Sequence, residues 1–161
     1  MPALISFVRH SYALLIKTAT ALQSPFLLAV RLFWGWQFFG TGIGKLSDLD
    51  TFAERFAGWH IPLPKFNAVL AGSTECFGGL LLMIGLASRL TALPLLFTML
   101  VAYATTEREA LAVIFSEPDK VTEATPFLFL FAVLIVLIFG PGKLSADHLL
   151  ARKFAASPSG R

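Results

Sequence analysis

Four long stretches of this chain carry almost no charge, and they decide the solvent in which it can fold. They run over about 25–44, 65–86, 90–105 and 122–139. A helix needs roughly 20 mainly apolar residues to cross the ~30 Å hydrocarbon core of a bilayer. Pro25 suits the start of the first helix, and Gly42 with Gly44 its end. The turn Ala87-Ser88-Arg89 separates the second from the third, and Gly140-Pro141-Gly142 stops the fourth. Only 14% of the residues are charged, against roughly 25% in an average soluble domain. With 56% hydrophobic residues, a water-soluble domain of this size has too little polar surface to cover itself. The predicted fold class is therefore all-α, an integral membrane four-helix bundle.

Residues 1–24 form a separate arm. Ser6, Arg9, His10, Lys17 and Thr20 recur at helical spacing opposite a face of Leu, Ile, Val and Phe. That pattern predicts an N-terminal amphipathic interfacial helix lying on the inner leaflet. A signal peptide fits less well, because Arg9 and Lys17 bracket only seven residues, which include His10 and Ser11. The predicted organisation is an arm over 1–24, a four-helix domain over 25–150 and a basic, disordered tail over 151–161. If four helices cross, one side holds Arg9, Lys17, Arg89, Lys143, Arg152, Lys153 and Arg161, seven cations beside the single acid Asp147. The other side holds the five cations Lys45, Arg55, Lys65, Arg108 and Lys120 together with the loop acids. The positive-inside rule then places both termini in the cytoplasm of a bacterial inner membrane.

The net charge of +3 is spread singly along the chain with no basic run, which argues against nucleic acid as a partner. Cys76 is the single cysteine, so an internal disulfide and a Cys-based zinc site are excluded. No phosphate loop, paired His or serine elbow occurs, and no metal site is expected.

Charges within the apolar stretches stand out, because each costs ~2.5–3.5 kcal/mol at a helix centre. Arg31 lies six residues into the first helix, about 9 Å from its inner end. It shares a stripe with Gly35, Phe38, Gly42 and Lys45. It either snorkels to the headgroups or meets a partner inside the bundle. Glu75, near the middle of the second helix, is too short to snorkel. Gly72, Gly78 and Gly79 share its face, so it points into a helix contact rather than at lipid. Two roles stay open for it: a structural ion pair, or a carboxylate that relays protons or binds a ligand. Arg31 and Glu75 are expected to pair as the intramembrane polar core. Thr91, Thr98 and Thr105 form a heptad stripe of hydroxyls on the third helix. At the outer face Lys45, Asp48, His60, Tyr103 and Glu107 gather, as solvated loop charges or as a pocket. Gly40 and Gly44 make a Gly-x-x-x-Gly pair that suits either a homodimer or packing within the chain.

Three segments resemble the DoxX/DoxD-like family of small four-helix bacterial membrane proteins. They are RLFWGWQFFGTGIGKL from Arg31, ECFGGLLLMIGLASRLTALPL from Glu75 and GPGKLSADHLL from Gly140. The likeness falls on Arg31, Gly42, Lys45, Glu75, Gly79, Gly85, Arg89 and Asp147. It implies a membrane component of thiol or sulfur redox chemistry, with quinone as an electron acceptor in some members and a soluble redox protein as partner. On that implication Glu75 is a candidate proton relay, and Lys45, His60, Tyr103 and Glu107 line a quinone or ligand pocket. Two other functions remain open: a non-catalytic scaffold that recruits a redox enzyme, and a small transporter subunit.

Overall fold

The computed structural model describes residues 2–156, with side chains over 5–155. Every element among them is a helix. They are α1 (Pro2–Ser47), α2 (Leu49–Gly58), α3 (Pro64–Ile84), α4 (Ser88–Thr106), α5 (Arg108–Ala112), α6 (Pro118–Glu123), α7 (Pro126–Phe139) and α8 (Ala146–Ala156). Three are long and apolar enough to cross a membrane: α1 from Ile5 to Ser47, α3 and α4. The chain is an all-α membrane protein. The fourth apolar helix, α7, has 14 residues, about 21 Å at 1.5 Å per residue.

The first helix does not begin at Pro25. It runs unbroken for 46 residues with Pro25 inside it, about 69 Å. That is more than twice the thickness of the hydrocarbon core. Ser24-Pro25 looks like a helix start, but Ser24 makes no cap. Its Oγ accepts a hydrogen bond from Lys143 N at 3.2 Å, which ties it to the end of the chain. The half of α1 before Ser24 is exposed at every described side chain.

Glycines bring α1 and α3 together. A Cβ on Gly79 would sit 2.5 Å from Gly35 O and 2.6 Å from Phe39 N, and one on Gly42 would sit 2.7 Å from Gly72 O. Apolar helices gain nothing from hiding in lipid, so close backbone approach at small residues supplies the contact. The hairpin from α3 to α4 closes on Gly85, whose φ of 73° is the left-handed cap of α3. Its N–H and that of Leu86 both bond Leu81 O, at 2.9 and 3.0 Å. Beyond the turn α4 packs on α7, and Phe38, Leu82, Ala92, Leu95, Val133 and Val136 form the buried core between α1, α3, α4 and α7.

The connections are more ordered than the sequence suggests. Residues 45–64 contain α2, capped by Asp48, whose Oδ1 accepts from Thr51 N at 3.4 Å. The acidic stretch 106–121 holds α5 and most of α6. The fourth apolar stretch begins at 126 rather than 122. Ala124 is extended (ψ 134°), and Pro126, which has no N–H to donate, restarts the helix in its first turn. The predicted disordered tail is helical from 151 to 156 as the end of α8, because no Gly or Pro interrupts it before Pro158. Residues 157–161 of that tail lie outside the described residues.

Candidate functional site

Arg31 does not pair with Glu75. The glycine contacts set the register of α1 against α3, and that register places Arg31 beside Gly85, where any Cβ would run into its guanidinium. Gly85 is ten residues from Glu75, about 15 Å along the helix. Arg31 is fully buried (0% exposed) and donates from Nη2 to Leu144 O. The charge it faces is Asp147.

Asp147 is the hub of this end of the bundle. Its carboxylate accepts from Ala87 N at 2.6 Å and Ser88 N at 2.9 Å. It thereby supplies the N-terminal cap that α4 lacks in its own sequence. Its backbone N–H donates to Gly85 O at 2.9 Å, and Arg89 Nη2 donates to Ile138 O at 3.3 Å. Together these bonds clasp the chain end to the α3–α4 turn beneath Arg31.

Glu75 is held by Lys45. The Nζ–Oε2 separation is 2.6 Å, with Glu75 2% and Lys45 18% exposed. Both α1 and α3 are needed to make the pair, and the Gly42–Gly72 contact beside it keeps them close. The pair lies on the floor of a chamber of about 680 Å³. Phe52, Arg55 and Phe56 of α2, with Trp59 just after it, make its aromatic roof, and Met99 of α4 and Phe129 of α7 line it as well. Lys45 Nζ lies 5.7 Å from the Phe52 ring centre and the Arg55 guanidinium 5.0 Å from the same ring, distances at which cations are attracted to an aromatic face. A surface ion pair of 2.8 Å from Lys65 to Asp50 ties the start of α2 to the start of α3. The Lys65 ammonium holds the Asp50 carboxyl below its ordinary range, first through the hydrogen bond and then through its charge.

Of the residues expected in an outer pocket, Lys45 and Glu107 line this chamber. His60 and Tyr103 do not. His60 is exposed in the turn after α2, in a left-handed conformation (φ 59°). Tyr103 is buried on another face of α4, where its hydroxyl donates to Val121 O at 2.8 Å and pins α6. The threonine stripe is satisfied within its own helix or turn. Thr98 donates to Pro94 O at 2.9 Å, Thr105 to Val101 O at 2.7 Å and Thr91 to Leu86 O at 3.5 Å. The aromatic roof was missed at the sequence level, although Phe52, Phe56 and Trp59 at spacings of four and three carry the signature of one helix face. No group of three or more His, Cys, Asp and Glu converges as a metal site among the described residues.

The gap between α3 and α4 leaves the chamber open at the side. The two helices touch near their turn, where Gly78 lies against Leu95. Further along, Leu70 (52% exposed) and Phe97 (68%) stand on either lip of the opening. Both helices are long and apolar enough to cross a membrane. An apolar chamber with one buried ion pair and a door to lipid can admit a molecule dissolved in the membrane and present donors and a carboxylate to its polar end.

A family model described as DoxX matches residues 26–108. An uncharacterized membrane protein of Mycobacterium tuberculosis is 30% identical over 144 residues, covering 82% of this chain and 85% of the relative. An uncharacterized protein of Haemophilus influenzae is 29% identical over 132 residues, covering 80% of this chain and 85% of its own length. No solved structure matches the chain.

Proposed function

The chain belongs to the DoxX family, and on that premise we propose that it is the membrane subunit of a quinone-linked thiol or sulfur redox system, working with a soluble redox partner. One observation carries this reading: the Lys45–Glu75 pair on the floor of an apolar chamber that opens sideways. A small-molecule site needs mostly apolar walls and a few placed polar groups, and the chamber has both.

The fit to a quinone head is chemical. An ammonium has three donors, so Lys45 Nζ can bond Glu75 and still offer a donor to a quinone oxygen. Glu75 would take or return a proton at that same oxygen, and the Lys45 charge would stabilise the carboxylate once the proton has left. Phe52, Phe56 and Phe129 would hold the ring and exclude water. A bound quinone supplies an acceptor for two electrons and two protons, the number released when two thiols become one disulfide. Cys76 is the only cysteine in the chain, so both thiols would come from the soluble partner. The excess of cations at the arm end would place the termini in the cytoplasm of the inner membrane.

Co-purification tests this directly. The protein is extracted in mild detergent and its bound lipids analysed beside those of Lys45→Met, with Lys65→Met as a control for lost positive charge. Quinone retained by the parent and Lys65→Met but lost from Lys45→Met is the expected outcome. Equal retention by all three proteins would contradict the assignment. A parent that carries no quinone but holds a stable soluble protein would favour the scaffold function instead.

A further inference from the structure

A second hollow, of about 430 Å³, lies between α3 and α4 on the lipid side, between the chamber and the α3–α4 turn. Thr74 and Pro94 line both spaces, so the hollow continues the chamber rather than forming a separate site. Gly78 lines it together with Phe77, Leu81 and Leu90. From Thr74 to Leu81 it follows α3 for seven residues, about 10 Å.

We infer that the ligand of the chamber is a long-tailed amphiphile that enters sideways from the bilayer, with its head at Lys45 and Glu75 and its tail in the groove between α3 and α4. This rests on the chamber being the ligand site proposed above. The rest of the chamber is lined by the Lys45–Glu75 pair, by Met99 and Phe129 and by α2. Leu70 and Phe97, beside the opening, are exposed on α3 and α4, helices long and apolar enough to cross a membrane, and in hydrocarbon a tailless polar molecule is scarce while a tailed one is concentrated. A head seated against Lys45 must leave its tail in that opening. There the groove offers an apolar bed that runs toward the arm end of the bundle, within the thickness of the membrane. The chain's own side chains leave this bed unfilled: Phe77 and Leu90 are 65% and 70% exposed.

The test compares a benzoquinone without a tail with its decyl derivative, titrated against the intact protein and against Leu90→Trp in the same detergent. The ratio of variant to parent cancels each ligand's partition into micelles. The indole should weaken decyl-quinone binding by at least about tenfold, equivalent to 1.4 kcal/mol, and change binding of the tailless quinone less than twofold. A decyl-quinone with a photoreactive group at the end of its tail should label the segment 77–90 in the unmodified protein, whatever the fate of the variant. Loss of both ligands from a folded Leu90→Trp, no effect on either, or labelling confined to other segments would overturn the tail assignment while leaving the chamber as a quinone site. Labelling of 77–90 that excess phospholipid abolishes would also overturn it, because the groove would then hold ordinary acyl chains. If neither quinone binds the parent protein, the proposed function itself fails.

Discussion

Removing Lys45 would strand the Glu75 carboxylate in a place where only 2% of it is exposed. Breaking one partner of a buried pair costs roughly 3–5 kcal/mol, whereas replacing both is often near neutral. Lys45→Met should therefore lower the detergent melting temperature sharply, and Lys45→Met with Glu75→Gln should recover most of the loss. Arg31→Met with Glu75→Gln should be additive, because the two side chains do not meet. A strong coupling between Arg31 and Glu75 in that cycle would contradict the register described here. Glu75 was legible in the sequence as buried, since it is too short to snorkel, whereas Arg31 stayed open between snorkelling and a partner inside the bundle. Their partners were not legible. The sequence displays Gly35, Gly42, Gly72 and Gly79 but not which of them touch, and that choice slides Arg31 about 15 Å from Glu75.

Among the elements, α4 shows most clearly how a distant residue completes a local structure. Its first turn has no capping side chain of its own, and the acceptor comes from Asp147, 59 residues along the chain from Ser88. Asp147→Ala should cost about 2 kcal/mol, the upper end of a lost cap, because Arg31 also loses the charge it faces. Asp147→Asn, which keeps an acceptor oxygen, should cost less. Amide exchange at Ala87 and Ser88 would show the effect at its source, and protection unchanged in Asp147→Ala would contradict it. The spans α3 and α4 were readable from hydropathy to within a few residues, because lipid selects for length and apolar content alone. The start of α1 was misread, because Pro25 looks the same whether it opens a helix or lies inside one. Ser24 beside it accepts a bond from Lys143, far along the chain, instead of capping a helix. In α2 the apolar face of Phe52, Phe56 and Trp59 was present, but ten residues rich in charge resemble a loop until something lies beneath them.

At the level of the whole molecule, four crossings would set seven cations beside Asp147 on one side against five cations among the remaining acids on the other. Reporter fusions after Asp50 and after Asp119 should register the outside, and fusions at either terminus the cytoplasm. A cytoplasmic signal after Asp119 would contradict four crossings, and an outside signal at the C-terminus would mean that the short helix α7 does not cross. Residues of α2 and Glu107 line the Lys45–Glu75 chamber, which places it toward the α2 end, and the chamber is what links this fold to the proposed function. A ligand that binds only the folded protein raises its stability, by about 2.7 kcal/mol at a hundred times its dissociation constant. The most direct test is the melting temperature of the intact protein in lipid nanodiscs as decyl-benzoquinone is added. It should climb with quinone concentration in the parent and in Lys65→Met, and stay flat in the Lys45→Met, Glu75→Gln double variant. A flat response in the parent, or an equal climb in the double variant, would contradict a quinone site built on this pair.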